Sequence, residues 1–164
     1  RLNYDISCLI TISSKNKDSY MFHTPAVNLV KHQAKSLGIP LVMQQTQGKK
    51  EIELKDLETA ISVAKQKHKI QGIITVAIFS NYQRTRIEEI CDKLNLKCYS
   101  PLWHIDQETE VRNLIEKGFK FVMTKVAAEG LDKSWLGDII TKTHLEKLKE
   151  LNKKLKINIA GEGG

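Results

Sequence analysis

Short apolar, β-branched runs alternate with segments of helical periodicity through the first 126 residues, and no other feature of the chain excludes as many folds. The clearest run is Gly72-Ile73-Ile74-Thr75-Val76-Ala77-Ile78-Phe79, apolar on both faces, which predicts a central strand. Ile6 to Ile12, Pro40 to Gln44, Lys97 to Leu102 and Phe119 to Val126 read as further strands. Between them, Val27-Val30-Ala34-Leu37, Leu54-Leu57-Ile61-Ala64, Ile87-Ile90-Cys91-Leu94 and Val111-Leu114-Ile115 repeat at helical spacing. Thr24 is placed to cap the first helix, Pro25 to occupy its first turn and Gly38 to end it. The expected fold is α/β, an open and mostly parallel sheet with right-handed crossovers.

The rhythm changes near Ala127. A loop with Gly130 and Gly137 leads to a lysine-rich helix with Leu145, Leu148, Leu151 and Leu155 inward, then to a short strand, Ile157 to Ala160. This predicts two parts: residues 1–126 as the ligand-binding α/β domain and residues 127–164 as a small C-terminal α+β subdomain. Start on Arg1 and stop on Gly161-Glu162-Gly163-Gly164 lead to the expectation that residues are missing at both ends.

The 26 basic and 19 acidic residues leave a net charge of +7, which allows an anionic partner without specifying one. Lys142, Lys147, Lys149, Lys153, Lys154 and Lys156 read as the wet face of the last helix. No apolar run approaches the roughly 20 residues that span a bilayer, and no membrane partner is expected. Cys8, Cys91 and Cys98 form no CxxC pair, which predicts reduced thiols in a cytoplasmic protein without a protein-held metal.

Ligands of open α/β sheets bind beyond the carboxyl ends of the strands. There Lys17-Asp18-Ser19 looks like the end of a phosphate loop but lacks its glycines. His23 and Thr24 follow and face a helix start, where His23 serves either a ligand or the structure. Ser80-Asn81-Tyr82-Gln83-Arg84-Thr85-Arg86 places a hydroxyl, an amide and two guanidiniums at a helix N-terminus, suited to phosphate or carboxylate. The alternative for Arg84 is an i,i+4 pair with Glu88. Lys125 interrupts an apolar strand near its carboxyl end. Gly161, Glu162, Gly163 and Gly164 form a turn that a ligand can approach closely, or a plain turn.

Taken together, these segments resemble the diphthine–ammonia ligase family of PP-loop ATP pyrophosphatases, in its shorter archaeal form. Asp18 to Thr24, Val76 to Glu88 with Cys91, Leu94, Asn95 and Leu96, Pro101-Leu102-Trp103, Lys125 to Asp132 and Gly161 to Gly164 appear in matching order. The resemblance implies a Rossmann-like, adenine nucleotide alpha hydrolase-like domain. It also implies ATP-dependent amidation of diphthine on translation elongation factor 2 through an acyl-adenylate, with ATP and Mg²⁺ required and ammonium as co-substrate. Thr11, Ile12 and Ser13 would hold adenine by their backbone, and Ser80, Tyr82, Gln83 and Arg84 would line the nucleotide. His23, Thr24, Arg86, Lys125 and Gly161 to Gly164 would face the substrate. Glu162 and Arg84 are the catalytic candidates.

The family's Ser-Gly-Gly-Lys-Asp-Ser phosphate loop is expected upstream of Arg1, and its Glu-Tyr-Glu-Thr continuation beyond Gly164. Two readings compete with the ligase: a PP-loop enzyme that modifies RNA, and a nucleotide-binding regulatory module without catalysis. Against the first, the chain has no zinc-ligand cysteine pairs, and a nucleic-acid partner is not expected. A homo-oligomer is compatible with all three.

Overall fold

The computed structural model describes residues 4–17, 19, 21–22, 24–76 and 78–161. These form an α/β fold with parallel strands. In chain order the elements are β1 (Leu9–Ser14), α1 (Val30–Leu37), β2 (Leu41–Thr46), α2 (Ile52–His68), β3 (Gly72–Ile74), α3 (Asn81–Lys93), β4 (Lys97–Tyr99), α4 (Gln107–Glu116) and α5 (Lys142–Leu155). The chain divides into two compact units, residues 1–75 with 81–100, and residues 76–80 with 101–164.

In the first unit β1 pairs with β2, and β3 with β4, both in parallel, as two two-stranded sheets. One core joins them: Ile12 of β1 packs with Leu57, Ala60 and Ile61 of α2, Ile90 and Cys91 of α3, and Leu96, while Val42, Ile73 and Cys98 lie against it. In the second unit Leu145 and Leu148 of α5 are fully enclosed with Val111 of α4, Ile140, Ile157 and Ile159. Lys147, Lys153 and Lys154 face solvent as periodicity requires, and Lys149 bridges Glu108 and Glu146, both at 3.0 Å. No helix among the described residues is long and apolar enough to cross a membrane.

Four local expectations are corrected. The run Gly72–Phe79 is not one central strand. The β3–β4 ladder extends to Thr75, whose N–H donates to the Tyr99 carbonyl at 2.9 Å, and stops where Pro101, which has no N–H, opens a turn. From Val76 the chain belongs to the second unit, where the Ile78 carbonyl accepts from His104 and Val76 is 68% exposed. Phe119–Val126 supplies only two single-residue bridges, Val122 to Ile139 and Met123 to Leu136. Gly137, at φ 84°, breaks the partner segment between those bridges.

Ile157–Ala160 is not a strand either, although Ile157 and Ile159 are buried on alternation. Side-chain amides take the place of a ladder: Asn152 Nδ2 donates to the Ile157 carbonyl and Gln107 Oε1 accepts from Ala160 N–H. Finally, Thr24 does not cap a helix at Pro25. Its hydroxyl donates to the Lys17 carbonyl at 3.2 Å, and helical structure begins with a 3-10 turn at Val27–Leu29 after Ala26 at φ 54°.

Candidate functional site

The carboxyl ends of β1 and β2 lead into tightly joined loops. Lys15 N–H donates to the Thr46 carbonyl, and Asn16 Nδ2 to the Gly48 carbonyl at 2.9 Å. Gly48, at φ 70°, has room for nothing larger: a Cβ there would lie 2.2 Å from Ser14 Oγ and 2.5 Å from Asn16 Cβ. This crossing delivers Glu51 to the position before α2 and Glu53 to its first turn.

Glu51 precedes α2 at φ 66°, an uncommon backbone state for a non-glycine residue. Its Oε1 accepts from Arg86 at 2.9 Å and from the Tyr82 hydroxyl at 3.2 Å. The Arg86 guanidinium lies 3.6 Å from the centre of the Tyr82 ring, and Lys50 Nζ lies 5.7 Å from it. The Arg86 hydrogen bond holds the Glu51 carboxyl below the usual carboxylate range and raises Arg86 in turn. Desolvation pushes the Tyr82 hydroxyl up. Arg86 Nε is buried without a hydrogen-bond partner.

Beside this cluster Glu53 is fully buried. Its Oε2 accepts from Ser19 Oγ at 2.7 Å, while its Oε1 has no hydrogen-bond partner. Ser19 Oγ also accepts from Phe22 N–H at 3.2 Å, and Gln83 Nε2 donates to the Met21 carbonyl at 2.8 Å. The loop after β1, the start of α2 and the start of α3 are thus one hydrogen-bonded constellation.

Of the residues singled out in the sequence, Tyr82, Gln83 and Arg86 belong to this constellation. Arg84 points instead along its own helix, with Nε 2.7 Å from Glu88 Oε1, the i,i+4 alternative. Thr11, Ile12 and Ser13 lie in β1, paired with Met43, Gln44 and Gln45 on one edge; Ile12 is buried in the core. Ser80 immediately precedes α3. Lys125 is exposed in irregular backbone, and Gly161, itself exposed at φ 72°, follows the turn at Ile159 and Ala160. His23, Glu162, Gly163 and Gly164 lie outside the described residues.

Sequence reasoning named Ser19 only in a segment that it set aside as a phosphate loop, and it missed Glu51 and Glu53. For Glu53 a signal existed: positions 53, 57, 60, 61 and 64 form one helical stripe, and all five side chains are buried. An acid on an apolar stripe marks a buried carboxylate. Glu51 carried no such signal, because its partners lie over thirty residues away.

The first turn of α3 contains no acidic residue, so the positive end of this 13-residue helix is not neutralised by its own side chains. Among the described residues no group of three or more His, Cys, Asp or Glu is arranged to hold a metal ion. All three cysteines are free thiols, with Cys91 buried.

Residues 2–98 match the diphthamide synthase N-terminal domain and residues 106–164 the diphthamide synthase C-terminal domain. The chain is 33% identical over 165 residues to a mouse protein named diphthine–ammonia ligase, covering 93% of this chain and 61% of the mouse one. Proteins of the same name from zebrafish and fission yeast are 33% and 32% identical; the matches cover 93% and 90% of this chain, and 64% and 26% of theirs. The chain therefore spans less than two thirds of the length of these relatives. On these matches, it belongs to the diphthamide synthase family.

Proposed function

We propose that the protein is an ATP-dependent ligase that amidates diphthine on translation elongation factor 2, completing diphthamide, and that it works in the cytoplasm. The observation that carries this reading is the paired match: N- and C-terminal family domains lie in order along the chain, and relatives from vertebrates and yeasts bear one name.

The chemistry requires activation. A carboxylate does not yield to ammonia, because the leaving group would be oxide. Transfer of AMP to it creates a good leaving group and divides one hard step into two easier ones. The start of α3, which carries no acidic residue of its own in its first turn, suits the negative charge that moves through such a site. Tyr82 and Gln83 at that start would line the nucleotide, with Arg84 reaching it by leaving Glu88. The end of β1, paired on one edge only among the described strands, leaves backbone groups for the adenine edge. Mg²⁺ would arrive with the nucleotide and would supply charge withdrawal at its phosphates.

The test uses the full gene product with ATP, Mg²⁺, ammonium and diphthine-bearing elongation factor, following nucleotide products and factor mass together. AMP and pyrophosphate in step with amide formation are expected. ADP and phosphate would replace adenylation by an acyl-phosphate route. AMP with modified tRNA and an unmodified factor would transfer the activity to RNA. ATP binding without turnover would mark a regulatory module.

A further inference from the structure

Glu53 is the only charged side chain among the described residues that is fully buried. It stands on the stripe of α2 that otherwise carries Leu57, Ala60, Ile61 and Ala64, where a leucine would pack without desolvating a charge. Burial of an ionisable group whose acceptor capacity is half unused works against stability. Ser19 satisfies Oε2, and Oε1 is left over. The bond to Ser19 ties the carboxylate to the Ser19–Phe22 turn, and Gln83 ties that turn to the start of α3, where the nucleotide is proposed to lie.

From this geometry we infer that Glu53 holds the ammonium ion that becomes the amide nitrogen. The inference rests on the ligase reading above. Ammonium is close to water in size, carries a single positive charge and has only donors to offer. A buried carboxylate with one oxygen unpartnered offers what that ion lacks once it leaves water. The same carboxylate serves the next step: its Oε1, with no other partner, is placed to take a proton from the bound nitrogen. The freed lone pair attacks the acyl carbon. The carbon–nitrogen bond forms, the carbon–oxygen bond to AMP breaks with its electron pair on the phosphate oxygen, and a second proton leaves nitrogen. Acyl-AMP and ammonium thus give amide, AMP and two protons, and the proton held by Glu53 returns to solvent.

The full gene product is assayed with diphthine-bearing elongation factor, ATP and Mg²⁺ while ammonium chloride is titrated at fixed pH. Glu53→Gln keeps an oxygen for Ser19 and removes the charge. It is expected to raise the KM for ammonium about tenfold to a hundredfold, the loss of one charge-assisted hydrogen bond. The KM for ATP is expected to move far less. Hydroxylamine, uncharged near neutral pH, is expected to restore turnover, since it needs no prior deprotonation. Glu53→Leu is the packing control: it is expected to melt no lower than wild type and to show the same ammonium defect.

An unchanged ammonium KM in Glu53→Gln would overturn the assignment. So would a parallel rise of both KM values with a fall in melting temperature, which would make Glu53 a support for the Ser19 turn. A wild-type protein that forms no amide would instead remove the ligase reading, and this inference with it.

Discussion

Glu51 and Arg86, 35 residues apart in the chain, meet at 2.9 Å, and the same guanidinium covers the face of Tyr82. The contact joins the start of α2 to the first turns of α3 at the place where the loops after β1 and β2 converge.

The pair has a pH signature. The folded protein depresses the Glu51 carboxyl, so its contribution is fully present above the unfolded value of about 4.3 and is lost as pH falls through the lower folded value. Glu51→Gln is therefore expected to melt slightly below wild type at neutral pH and level with it in strong acid. Melting curves from pH 7 downward check this; a gap that persists at the acid end would assign the difference to packing.

Arg84 Nε stands 2.7 Å from Glu88 Oε1, a pair that competes with the proposed contact to a nucleotide. Arg84→Ala in the full gene product is expected to raise the KM for ATP about tenfold to a hundredfold. Glu88→Gln, which takes the charge from that pair, is expected to leave that KM level or lower it. An unaltered KM in Arg84→Ala would confine Arg84 to the helix surface.

Gly130 sits at φ 82°, and a Cβ there would lie 2.7 Å from Leu155 Cδ1 and 3.0 Å from Leu151 Cδ2 on α5. Gly130→Ala joins a left-handed backbone to an overpacked contact and is expected to cost about 1–3 kcal/mol by urea unfolding. Gly118→Ala, with nothing within 4 Å of its Cβ position at φ 79°, isolates the backbone part and is expected to cost less.

Asp106 caps α4: its Oδ1 accepts from Thr109 N–H at 2.9 Å, and these bonds hold the carboxyl below its ordinary range. Asp106→Ala is expected to lower stability by about 1 kcal/mol, while Asp106→Asn keeps most of it. Urea unfolding at neutral pH distinguishes the two.

Helices were the legible part of this protein. Leu57, Ile61 and Ala64, or Leu145 and Leu148, meet on one face because a single local geometry spaces them, and neighbours along the chain suffice to specify it. The family was legible for a related reason: short motifs at fixed order need no coordinates to be recognised. Strands were legible only in part: the runs at Ile6–Ile12, Pro40–Gln44, Gly72–Phe79 and Lys97–Leu102 each meet an observed strand, but a strand extends only as far as a distant segment offers a ladder. The apolar runs at Gly72–Phe79, Phe119–Val126 and Ile157–Ala160 all promise burial; Ile78, Ile157 and Ile159 are buried, while Phe119–Val126 reaches only half-burial at Phe121 and Met123. Pro101, Gly137 and the amides of Gln107 and Asn152 determine how little of each pairs. The candidate site divides along the same line. Tyr82, Gln83 and Arg86 announce themselves as donors at one helix start. Glu51 and Ser19 acquire meaning only when parallel crossovers bring three chain segments together, and the unpaired oxygen of Glu53 is a property of packing, which no local stretch of residues encodes.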